Sequence, residues 1–215
     1  MKTLVATACA AVLGLGYLAH DPTPVANYIR VASEGAFTIE PEEWLEEATS
    51  GVKAGNPFWM STYGVLLLNG SQGVEPLENL VEADPGRGAI LIEQAVDKGL
   101  TNGLFLSWLF TGQSDETLLT RAVQLGDPNA TSVWLERALL GAECSTEGRA
   151  VLDRPLPSRE ELLANQERTA VLFEEYGVGW YSRESVEEQY EQAYAEALSK
   201  LERLEEGIEC DPEAT

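Results

Sequence analysis

The sequence predicts an all-α protein: an α-solenoid of antiparallel helix pairs closed by a C-terminal helical cap. Three observations carry this expectation. From Glu40 onward almost no β-branched run alternates with the period of two that a half-buried strand needs. Two 16-residue segments, from Gly55 to Gly70 and from Gly126 to Gly141, align without gaps, each running Gly-polar-Pro, a helical stretch and a closing Gly. Late in the chain, Val186, Tyr190, Tyr194, Ala197, Leu201, Leu204 and Ile208 step by 4, 4, 3, 4, 3 and 4, the spacing of one helix face.

Taken in order, residues 21 to 39, with Pro22, Pro24 and Gly35, read as a linker. Glu40-Pro41-Glu42-Glu43 opens the first helix, with proline in the first turn and acids at the positive end of the dipole. Pro57 begins the next, stopped at Asn69-Gly70. A third runs from Gly86 to Lys98, a fourth from Leu100 to Phe110, a fifth from Asp115 to Leu125 and a sixth from Pro128 to Leu140. The glycines that follow these helices fit a residue just past a helix end, where positive φ is common. A loop from Gly141 to Pro157 comes next. Ser158-Arg159-Glu160-Glu161 is a capping box opening a helix that ends at Gly177, and Ser185 to Glu188 is a second box opening the last helix.

The N-terminus has a different character. Met1-Lys2 and the apolar run from Thr3 to Ala19 read as a secretory signal. Either it is cleaved, after Gly16 or Ala19, or it stays as a membrane anchor, for which its length is marginal. Cys9 leaves with a cleaved signal, and the remaining pair, Cys144 and Cys210, is expected to form a disulfide in an exported chain, with two free thiols as the alternative. The domain reading is therefore 1–20 signal or anchor, 21–39 linker, 40–141 helical repeats and 142–215 C-terminal cap. Export places the chain in the periplasm, or anchored facing it.

Acids outnumber bases 36 to 14, for a net charge of −22. Phosphate binding needs clustered Lys and Arg, so nucleic acid is a poor partner, and an anionic membrane surface is disfavoured by the same sign. His20 is the sole histidine and sits at the end of the apolar run. Without it, Ser-His-Asp and Cys-His nucleophilic sites and His-ligated zinc are excluded. No CxxC, EF-hand loop or phosphate-cradling loop is present. Glu42/Glu43, Glu46/Glu47 and Glu187/Glu188 read as solvated helix faces rather than as catalytic carboxylates, because acid catalysis needs a carboxyl raised by burial. No cofactor or metal is expected.

Both matched segments begin Gly-Asn/Asp-Pro. Leu91-Ile92-Glu93-Gln94-Ala95-Val96-Asp97-Lys98-Gly99 also parallels Leu118-Leu119-Thr120-Arg121-Ala122-Val123-Gln124-Leu125-Gly126. With Gly70-Ser71-Gln72-Gly73-Val74 after the first segment, residues 40 to 141 resemble the Sel1-like repeat family, relatives of tetratricopeptide repeats. The first repeat keeps Gly55, Asn56, Pro57, Gly64 and Gly70. It carries Trp59 where the family has Ala and Leu67 where it has Tyr, and the unit from Gly99 to Gly126 has almost no loop. The resemblance implies a non-enzymatic scaffold that binds a protein or peptide on a concave face. Trp59, Tyr63, Val133 or Trp134, and Ala138 are expected in the core. Phe58, Thr62, Leu66, Trp108, Asn129 and Glu136 are left to face the partner. Two rival readings stay open: an acidic secreted inhibitor or immunity-type protein aimed at a basic target, and an envelope enzyme or cell-wall-fragment binder acting through carboxylates.

Overall fold

The computed structural model describes residues 41–71, 77, 79–142, 157–176 and 183–205; residues 138–142, 183–185 and 205 are described by backbone alone. The described residues form eight helices and no strand: α1 (Pro41–Lys53), α2 (Pro57–Asn69), α3 (Pro85–Asp97), α4 (Asn102–Phe110), α5 (Glu116–Gln124), α6 (Pro128–Ala142), α7 (Arg159–Glu175) and α8 (Arg183–Glu205). The apolar N-terminal run lies outside the described residues. No helix among the described residues is long and apolar enough to cross a membrane.

Local chemistry sets the boundaries. The Asn56 side chain accepts hydrogen bonds from the Phe58 and Trp59 amides at 2.9 and 3.4 Å, fixing the start of α2. Asp84, Asp115 and Ser158 do the same for α3, α5 and α7. Two expected boundaries move. The helix expected from Leu100 starts at Asn102, because Gly99, at φ +101°, still belongs to the turn. The last helix begins at Arg183, so Ser185 lies inside its first turn rather than capping it.

Helix α2 is apolar on every side and buries nine residues, which makes it a central helix. It runs antiparallel to α3, with the two backbones in close approach at paired glycines. A Cβ on Gly88 would lie 2.6 Å from the Gly64 carbonyl oxygen, and one on Gly64 would lie 3.0 Å from that of Gly88. Helix α4 runs parallel to α2. Ser61 donates to the Asn102 carbonyl at 2.8 Å, and Asn69 donates to the Phe110 backbone carbonyl at 3.2 Å; both pairs are 41 residues apart, so one register holds along both helices. Trp59, large where a small residue was expected by resemblance, fits because Gly51 of α1 faces its indole; a Cβ there would sit 2.0 Å from the ring.

The core divides in two, with a small third cluster between α7 and α8. Trp44, Trp59, Tyr63, Leu67, Leu91 and Ala95 gather with Leu172 and Phe173 of α7. Leu104, Phe105, Trp108, Leu119, Val123 and Trp134 gather across α4, α5 and α6. Expected core positions Trp59, Tyr63 and Trp134 are buried and Val133 is half-buried, whereas the side chain of Ala138 lies outside the described residues.

Helix α7 lies across the turns that join the earlier helices. A Cβ on Gly126 would strike the Glu161 carbonyl oxygen, Gly99 abuts Arg168, and Phe173 stacks on Phe58 at 4.9 Å. From Glu161 to Phe173 an α-helix advances about 18 Å, which matches three helices side by side at 8–10 Å spacing. Helix α8 returns antiparallel to α7, pairing Tyr194 with Asn165 and Glu202 with Arg159.

Candidate functional site

The six residues expected to face a partner do not form an open surface. Phe58 is buried in the first core cluster, roofed by Phe173. Trp108 is fully buried, stacked on Phe105 at 5.8 Å and covered by the Arg137 guanidinium. These two are corrections. Helix α2 offers no polar face to mark its outward side, and α6 brings Arg137 over the Trp108 ring. Leu66 is half-buried against the first cluster, and Thr62 and Asn129 are half-buried. Glu136 is half-buried and paired with Lys200 of α8 at 3.3 Å. The chain's own C-terminal helices thus cover Phe58 and Glu136. Of the five tryptophans, Trp44, Trp59, Trp108 and Trp134 are core, and Trp180 lies outside the described residues.

Two polar clusters hold α7 and α8 in place. The first centres on Asp127, fully buried at the N-terminus of α6. Its carboxylate accepts from the Ala130 amide at 2.9 Å and from the Thr101 hydroxyl at 3.0 Å. Asn165 of α7 donates to Thr101 at 3.4 Å and to the Leu125 carbonyl at 3.0 Å, and its own carbonyl accepts from the Tyr194 hydroxyl of α8. Tyr194 spends its one proton there, so Thr169 donates to Tyr194, at 3.2 Å. Four segments therefore meet in one buried chain of hydrogen bonds. Burial drives the Asp127 carboxyl up to about 6, against the opposing bonds from Ala130, Thr101 and Asn129. Burial also pushes the Tyr194 phenol up.

The second cluster lies further along α6 and α8. Lys200 donates to Ser132 at 2.7 Å, to Glu196 at 2.6 Å and to Glu136 at 3.3 Å, while Ser132 donates to Glu196 at 3.0 Å. Burial opposes the charge on Glu196, but the hydrogen bond and charge of Lys200 outweigh it and hold this carboxyl below the usual range. A serine beside a lysine invites comparison with a nucleophile and its base. Here the Lys200 nitrogen is shared among Ser132, Glu196 and Glu136, and the serine proton points to Glu196 rather than to that nitrogen. The geometry is an ionic clasp. Among the described residues, no three His, Cys, Asp or Glu side chains gather as metal ligands.

Asp127, Thr101, Asn165 and Tyr194 were not singled out as a group from sequence. A signal existed. Leu162, Asn165, Thr169, Leu172 and Phe173 form one helix face, and two of its members are polar. Compared with models of known families, with curated proteins and with solved structures, the chain matches none.

Proposed function

We propose that the chain is a non-enzymatic interaction scaffold of the bacterial cell envelope, built from Sel1-like helix pairs stacked as a solenoid and binding a protein or peptide. The pairs are α1/α2, α3/α4 and α5/α6, and α7 with α8 forms the C-terminal cap, tied to them by a Cys144–Cys210 disulfide. The observation that supports the reading is α7 itself. It lies along the row of turns and meets each in sequence, through Glu161, Arg168 and Phe173. An edge with that shape holds a helix by its length, as a repeat scaffold does. With the turn edge filled, the partner uses another surface, and Ile90 of α3, 59% exposed, is the apolar side chain offered for it.

The test is capture by the full mature chain from periplasmic extract, with kinetics at low and moderate salt. A protein or peptide whose on-rate changes little with salt supports the scaffold, and loss of that capture on Ile90→Asp with unchanged melting temperature locates the face. A steep fall in on-rate with salt overturns it in favour of the acidic inhibitor. Retention of cell-wall fragments alone overturns it in favour of the glycan binder.

A further inference from the structure

We propose that the joint around Asp127 is a proton-linked lock, in which uptake of one proton tightens the hold of α7 and α8 on the turn edge. At this joint the turn before α4 (Thr101), the turn before α6 (Asp127), α7 (Asn165, Thr169) and α8 (Tyr194) share hydrogen bonds. Asp127 is wholly buried, and its partners are amides and a hydroxyl, none of them charged. The nearby cations are engaged elsewhere. Arg168 of α7 donates to the Leu125 carbonyl, and Lys98, in the turn after α3, reaches Tyr176. Arg121 of α5 pairs with Glu93, Arg137 of α6 with Glu116, and Lys200 of α8 with Glu136 and Glu196. Arg159 of α7 pairs with Glu202 of α8, the α7 carboxylates Glu160, Glu161 and Glu167 are exposed, and Tyr194 is kept neutral by burial.

An ionised carboxylate here gives up water without gaining a cation. Undocking α7 and α8 returns it to solvent, where its pKa falls to about 3.9. The docked state, at about 6, binds the proton more tightly. Docking therefore strengthens as pH falls through about 6 and levels off below about 4. Between about pH 7.5 and pH 5 the closing constant rises about tenfold.

Hydrogen exchange of the α7 amides in the full chain, corrected for the intrinsic pH effect, reads this directly. Protection is expected to rise about tenfold in the wild type over that interval, and to be nearly flat in Asp127→Asn, which keeps the acceptor without the charge. An equal rise in both overturns the lock and assigns the effect to relief of general acidic repulsion. Should Asp127→Asn fail to fold, a carboxyl carbon-shift titration of wild-type Asp127 decides: a midpoint near 6 supports the lock, and one below about 4.5 overturns it.

Discussion

Gly126 holds φ at +76°, and a Cβ on it would lie 2.4 Å from the Glu161 backbone carbonyl. Gly112 has nearly the same φ, +70°, with nothing within 4 Å. The pair separates backbone strain from contact. Gly112→Ala is expected to cost about 1–2 kcal/mol, the left-handed penalty of an L-residue alone. Gly126→Ala carries that penalty plus about 1–3 kcal/mol for displacing α7, because the obstructing atom is backbone and cannot rotate away. Urea midpoints of the two variants check this, and equal losses would show that α7 does not rest on that turn. The glycine turns were legible because glycine and proline act locally. That Gly126 also receives α7 was not, since the contact joins residues 35 apart and depends on a polar face that ordinary hydrophobic periodicity passes over.

At the scale of elements, the same blindness explains the misplaced partner residues. Helix α2 is apolar all round, so its periodicity carries no information about which side is covered. Phe58 was expected outside and lies under Phe173. Phe58→Ala is thus expected to cost about 3–5 kcal/mol, a fall of roughly 10 °C in melting temperature for a chain of this size. A change of only a few degrees would return Phe58 to the surface. The α6–α8 clasp predicts an asymmetry. Lys200→Met leaves Glu136 and Glu196 facing each other without their cation, whereas Glu136→Gln leaves Lys200 still paired with Glu196. The first is expected to cost about 1–2 kcal/mol, below the figure for a fully buried pair because Glu196 is half-exposed, and the second under about 1 kcal/mol. Denaturant midpoints in low salt read the difference; equal costs would mean the clasp contributes through packing alone.

For the molecule as a whole, the register of α6 against α8 bears on the two cysteines, which lie outside the described residues. Ser132 meets Glu196 and Glu136 meets Lys200, both at an offset of 64 residues, so the two helices run parallel. Carried forward, that offset sets Ala142, the end of α6, level with the end of α8 at Glu205. Cys144 follows the first end by two residues and Cys210 the second by five. An antiparallel pair would have sent the two thiols to opposite ends of helices more than 20 Å long, beyond the roughly 7 Å between Cα atoms that a disulfide bridges. The parallel arrangement instead brings both exits to one side of the fold. The bond would close a loop of about 65 residues and, on chain-entropy grounds, stabilise the folded chain by roughly 4 kcal/mol. It would also make release of α8 from α6 a reductant-dependent event. Free-thiol titration of the oxidised chain without residues 1–20, in denaturant, is expected to find near zero thiols, on a species that runs as a monomer without reductant. Two thiols per chain would refute the bond. Near-zero thiols on a dimer would move it between chains, and α8 would then be held to α6 by non-covalent contacts, the Lys200 clasp and the Asp127 joint among them.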